Sequence, residues 1–149
     1  MSDRLYAGDK LLDAWLTLTS TLWNTRLVTS MTYNEAHVMG ILLRLSTPQN
    51  PLTATDLIRK THLLKSQMNK ILSALESKGF IVRTRSQSDR RMAHILLTEA
   101  GETAYRAQHV KIEALLDKLV DRIGDERAMR ISADLQDIVA VLDELLPLT

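Results

Sequence analysis

Residues 65–97 change hydrophobic period halfway, and few folds accommodate that change. In "KSQMNKILSALESKG" (65–79), Met68, Ile71, Leu72 and Leu75 recur at three- and four-residue steps, the stripe of an amphipathic helix. Gly79 closes it, free to take the left-handed conformation that ends a helix. Beyond it the period becomes two. "FIVRTR" (80–85) and "MAHILL" (92–97) alternate as short strands do, with "SQSDRR" as the turn between them. A shorter helical pattern, "TATDLIRKTH" (53–62), lies just before, with Thr53 or Thr55 as its start signal. A short helix, a tight connection, a second helix stopped by glycine and then a hairpin make a helix-turn-helix with a wing.

The flanks are helical. Residues 9–30 place Leu12, Trp15, Leu16, Leu18, Leu22 and Trp23 at mostly helical spacing. Residues 34–46 repeat the pattern with Val38, Ile41, Leu42 and Leu45, and Asn34 reads as the N-cap. Pro48 and Pro51 then break the chain. Thr98 opens a long helical run to about Ile123, Gly124 and Asp125 read as a stop and a cap, and a last helix runs from about Glu126 to Leu146. These end helices are too apolar for one packing partner. Ile131, Leu135, Ile138, Val139, Leu142 and Leu145 cover more than the roughly 100° stripe that a singly packed helix needs. A two-fold homodimer through the ends supplies the second partner. The 149 residues therefore predict a single, mainly α chain with a small β-hairpin wing. Residues 34–98 form a winged helix-turn-helix, and residues 9–30 and 99–147 form N- and C-terminal dimerisation helices.

Charge is distributed to match. Residues 57–94 carry 9 basic and 2 acidic side chains, whereas residues 95–149 carry 6 basic and 11 acidic ones. A formal net charge of only +1 thus hides a basic middle, the footprint of a polyanion binder. No apolar run approaches the roughly 20 residues of a membrane span, and "MSDRLYAGDK" has no apolar signal core, so a cytoplasmic protein without membrane contact is expected. The chain has no cysteine, which removes disulfides and thiolate metal sites. It has no Gly-rich phosphate loop, no HExxH and no GxSxG, so no enzyme and no cofactor is expected.

On the 65–79 helix, Ser66, Lys70, Ser73 and Ser77 point away from the apolar stripe, with Gln67 and Asn69 on its flanks and Lys65 at the start. A helix fits the major groove of double-stranded DNA, where Asn and Gln pair with adenine and Lys reaches guanine or phosphate. An ordinary amphipathic helix has the same stripe, and it is the wing and the local charge that point to DNA. Arg90 and Arg91 stand at the wing tip, and Arg is the side chain that exploits the narrow, negative minor groove. Asp89 would repel DNA if left free, so it is expected to hold an arginine through a bidentate pair. Arg83, Arg85 and Lys60 are expected to approach the phosphate backbone.

Over residues 65–101 the sequence resembles the MarR family of multiple antibiotic resistance regulators. The resemblance rests on a Ser-led helix ending in Leu75-Glu76-Ser77-Lys78-Gly79, a strand with Arg83, the tip Asp89-Arg90-Arg91, and Leu97-Thr98-Glu99-Ala100-Gly101. It implies a dimeric winged-helix transcriptional regulator, usually a repressor of a palindromic operator, often relieved by a small-molecule effector. It also implies that Arg91 enters the minor groove, with Arg90 on phosphate or paired with Asp89. The effector would bind between the dimerisation helices and the winged helix, where Trp15, Trp23, Tyr33 and His37 come from the right segments. Zinc-responsive relatives draw ligands from the helices that carry His37 and His109, but no second His or Cys stands beside either, so no metal site is assigned. Two alternatives remain at this level: a winged helix that binds protein, and a metal-responsive regulator of the same fold.

Overall fold

The computed structural model describes residues 3–24, 31–89 and 91–146, the side chains of residues 3–5 and 22–24 excepted. Six helices and three short strands follow in the order α1 (Asp3–Asn24), α2 (Tyr33–Leu45), β1 (Leu52–Thr53), α3 (Ala54–Thr61), α4 (Lys65–Ser77), β2 (Ile81–Arg85), β3 (Ala93–Leu97), α5 (Glu99–Ile123) and α6 (Asp125–Leu145). The chain is mainly α with a small β wing, as its periodicity implies. The hairpin pairs Ile81 with Leu97 and Arg85 with Ala93. A third strand, β1, joins the sheet antiparallel to β3, which is its middle strand. Two residues are too few to show a period, so β1 was not foreseen.

Helix boundaries follow from local chemistry. Thr32, not Asn34, caps α2: its Oγ1 accepts the Glu35 N–H and the Glu35 carboxylate accepts the Thr32 N–H, both at 3.2 Å. This reciprocal pair satisfies two of the N–H groups a helix start leaves unbonded, which places Asn34 inside the first turn. Gly124 ends α5 and also caps α6, so Asp125 is the first residue of α6 rather than its cap.

The core lies under the helix-turn-helix. Val38, Met39 and Leu42 of α2, Leu57 of α3, Met68, Leu72 and Leu75 of α4, and Ile81 and Ile95 of the sheet are almost fully buried. Aliphatic and thioether side chains at this burial contribute about 1.5–3 kcal/mol each. The end helices differ. Described α1 side chains such as Leu12, Trp15 and Leu16 are exposed, α6 buries none, and Leu115, Leu119, Leu135 and Val139 face solvent. At its far end α6 reaches the α3–α4 turn, with His62 Nδ1 3.4 Å from Asp143 Oδ1. No helix among the described residues is long and apolar enough to cross a membrane.

One close approach sets how α4, the wing and α5 meet. Phe80 N–H bonds the Leu75 carbonyl and Gly79 N–H bonds that of Glu76, with Gly79 at φ +72°. This is the two-bond helix stop that needs a left-handed residue. Thr98 donates its N–H to the Phe80 carbonyl at 3.0 Å and its hydroxyl to the Gly79 carbonyl at 2.6 Å. A Cβ at Gly101 would lie 2.1 Å from that Phe80 carbonyl oxygen. Gly101→Ala is therefore expected to lower stability by about 1–3 kcal/mol or more through overpacking against backbone. Gly8→Ala, where a Cβ meets nothing within 4 Å, should raise it by up to about 1 kcal/mol. Urea denaturation of both variants checks this; equal effects of one sign would contradict the close approach.

Candidate nucleic-acid interface

The helix-turn-helix is anchored at its start. Thr53 caps α3: its N–H and hydroxyl both donate to Asp56 Oδ2, at 2.9 and 2.8 Å, and its Oγ1 accepts the Asp56 N–H. The bond from the Thr53 backbone N–H, aided by the Thr53 hydroxyl, Arg59 and Lys60, holds the Asp56 carboxyl below its ordinary value against some opposing desolvation. The α3–α4 turn passes through His62 in the left-handed conformation, φ 57°, unusual for a residue with a side chain. Leu63 then turns inward against the core and Leu64 outward.

On α4 the two faces separate as the helical wheel requires. Met68, Leu72 and Leu75 are buried, and Lys65, Ser66, Gln67, Asn69, Lys70 and Ser73 are exposed on one surface. Two of these polar groups have partners within the chain. The Gln67 Oε1 accepts the Leu64 N–H at 3.0 Å, which leaves the side-chain amide NH2 as its outward donor. Ser73 Oγ accepts from Arg83 Nη2 at 3.3 Å.

Arg83 is a tether between wing and helix. Its Nε lies 3.3 Å from Glu76 Oε2, and it is buried without an aligned hydrogen bond. The sequence placed Arg83 near phosphate; in this structure its guanidinium is held against α4 by Glu76 and Ser73. Glu76, the partner that makes this so, was read from sequence only as part of a helix end.

The wing tip is built by short-range bonds. Buried Ser86 donates its N–H to the Met92 carbonyl, and its Oγ accepts the N–H groups of Ser88 and Asp89. Asp89 Oδ1 accepts the Arg91 backbone N–H at 2.9 Å. Among the described residues the Asp89 carboxylate thus closes the turn on the Arg91 backbone. Arg85 and Arg91 are exposed. Arg90 lies outside the described residues.

Beside the winged helix, α2 and α5 form a half-open, mostly apolar cavity of about 180 Å³, lined by Tyr33, Ala36, His37, Tyr105, Gln108, His109 and Ile112. Tyr105 stacks on His109 at 5.2 Å, and His109 Nε2 is 3.1 Å from Glu113 Oε1. Partial burial, and then the nearby Arg44, lower the His37 pKa from its ordinary value, so the ring is neutral at neutral pH. Of the four expected effector residues, Tyr33 and His37 line this cavity. Trp15 does not: it is 45% exposed on α1, whose described side chains face solvent. The Trp23 side chain lies outside those described. Tyr105, Gln108 and Ile112 were missed, since on sequence they are one more helical stripe. No group of three or more His, Asp or Glu side chains able to hold a metal ion occurs among the described residues.

The family model for the MarR family matches residues 29–92, which span α2, the helix-turn-helix and most of the wing. Over that segment the chain is similar to the MarR family. Among curated relatives, the uncharacterized HTH-type transcriptional regulator YwhA of Bacillus subtilis is 31% identical over 90 residues, covering 60% of this chain and 65% of YwhA. The homoprotocatechuate degradative operon repressor of Escherichia coli is 23% identical over 86 residues, 58% of each chain. The chain thus spans just under two thirds of the length of these relatives. Solved structures match over nearly the whole chain. Streptococcus pneumoniae FabT in complex with DNA has a TM-score of 0.63 at 21% identity, covering 95% of this chain and 96% of FabT. PcaV of Streptomyces coelicolor in complex with its natural ligand has a TM-score of 0.72 at 22% identity, covering 87% and 89%. At these identities the likeness is one of fold: a winged helix between helical ends.

The cap of α3 gives a prediction with a sign. Because the folded-state pKa of Asp56 is lowered, its contribution is complete above the ordinary value of 3.8 and is lost as pH falls below that value. Thr53→Ala should cost about 1 kcal/mol at neutral pH. The stability difference between the natural chain and Asp56→Asn should shrink as pH falls below 3.8. A pH-independent difference in thermal unfolding would contradict this assignment.

Proposed function

We propose that this chain is a homodimeric, sequence-specific DNA-binding transcriptional repressor of the cytoplasm. Residues 34–98 contact a palindromic operator, and residues 9–30 and 99–147 make the dimer. The observation that carries the reading is the exposed polar and cationic face of α4 beside an exposed arginine wing, within a segment of 9 basic and 2 acidic residues. Lys65, Ser66, Gln67, Asn69 and Lys70 meet base edges and phosphates in the major groove. Arg91, with Arg90, enters the minor groove, and Arg85 approaches the backbone. Ser73, Arg83 and Asp89 position these groups more than they touch DNA. The exposed leucines of α1, α5 and α6 support the dimer, since a solvent-facing apolar surface of that extent calls for a partner.

The α2–α5 cavity supports relief by a small molecule. Its wall is apolar, and His37, Gln108 and His109 offer the few polar groups that orient a ligand.

Salt and substitution test the reading together. Affinity for an operator selected from random duplexes should fall on the order of a thousandfold between 50 and 200 mM salt, as counterion release requires for several phosphate contacts. Asn69→Ala should cost about 1–3 kcal/mol at particular base pairs. Arg91→Ala should instead weaken all sequences alike and reduce the salt slope by about one. If Arg91 reads groove width, its loss should be largest on A·T-rich sites. An isotherm unchanged by salt would favour a winged helix that binds protein.

A further inference from the structure

Leu63 and Leu64 are consecutive and do opposite things. Leu63 is partly buried against the core, while Leu64 is 65% exposed. Leu64 is the N-cap residue of α4, with extended backbone at φ −65° and ψ 150° and no capping bond from its side chain. That position favours Ser, Thr, Asp or Asn, whose oxygen satisfies a free helix N–H; leucine is among the poorest choices. Gln67 supplies the one capping bond there, by accepting the Leu64 N–H. Leu64 therefore fills no core and caps no helix. A single exposed leucine is ordinary on a protein surface. This one, however, stands at the leading end of α4 beside Lys65 and Ser66, where a recognition helix contacts base edges.

The major groove offers one apolar feature for such a side chain, the C5 methyl group of thymine. Against the polar edges of guanine, adenine or cytosine, Leu64 would strip water from donors and acceptors and return no hydrogen bond. We propose that Leu64 is a specificity-determining residue that reads a thymine methyl in each operator half-site. The proposal rests on the reading of α4 as the DNA-contacting helix.

The test uses the full chain and the duplex it enriches from a random pool, with each thymine replaced in turn by deoxyuridine, which lacks only the methyl. One symmetry-related thymine pair should respond. Loss of one methyl should weaken binding about fourfold, and loss of both about fifteenfold, as burial of a methyl-sized group implies. Leu64→Ala should weaken binding to the unmodified duplex by a similar factor and become indifferent to deoxyuridine at that pair. Leu64→Ser, which restores a capping hydroxyl, should lose the same methyl sensitivity while its Tm rises. The proposal is overturned if no thymine methyl matters to the natural chain, if Leu64→Ala keeps full deoxyuridine sensitivity, or if Leu64→Ser lowers Tm. Failure to enrich any duplex overturns the DNA-binding reading as well, and is distinguishable from the other outcomes.

Discussion

The backbone junction between Gly79-Phe80 and Thr98-Gly101 is the point from which the functional parts radiate. The end of α4, the start of β2, the end of β3 and the start of α5 all meet there. Two carbonyls, of Gly79 and Phe80, receive the hydroxyl and N–H of Thr98, and the missing side chain of Gly101 lets α5 begin against them. Both backbone acceptors are thereby bonded within the protein. The junction thus fixes the angle between the helix proposed to read DNA, the wing beside it and the long helix proposed to dimerise. Arg83 adds a second constraint farther out by tying β2 to Glu76 and Ser73 of α4.

The first turn of α2 faces two ways. Tyr33, Ala36 and His37 form part of the cavity wall, while Glu35 turns into the protein and meets Lys78 Nζ at 2.6 Å. Lys78 caps the C-terminal end of α4. The Glu35 side chain is only 7% exposed, and a buried carboxylate needs its cation, so separating the pair is unfavourable. The Glu35–Lys78 pair thus links the first turn of α2 to the end of α4. Local geometry thus connects the cavity wall with the helix proposed to read DNA.

Much of the fold is legible in the sequence because its signals are strong and local. The switch of period at Gly79, the threonine starts of α3 and α5, and the stop at Gly124 are readable from a few residues each. The exposed face of α4 is equally readable, because burying Met68, Leu72 and Leu75 leaves Ser66, Lys70 and Ser73 outside. What was not legible depends on pairs distant in sequence or on competition between neighbours. β1 exists because Leu52 and Thr53 find β3 some forty residues on. The Glu35–Lys78 pair and the α2–α5 cavity likewise join segments that no local pattern links. Asn34 lost the cap of α2 to Thr32, which alone had a Glu three residues later. Asp89 carries a charge that suggests an ion pair; among the described residues its carboxylate also closes the turn on the Arg91 backbone N–H, a bond that charge alone does not suggest. Trp15 was expected near a cavity from its segment alone, and in one chain it is exposed on α1, away from the α2–α5 cavity.

The account turns on two copies of α4 being presented to one duplex at a fixed spacing. A hydroxyl-radical footprint of the full chain on its enriched duplex measures this directly. The account predicts a two-fold symmetric pattern. The two main centres of backbone protection should lie about one helical turn, roughly 10 base pairs, apart or at a multiple of it, with further protection outside each from the wings. A single asymmetric protected patch, or protection without a symmetric centre, would contradict it.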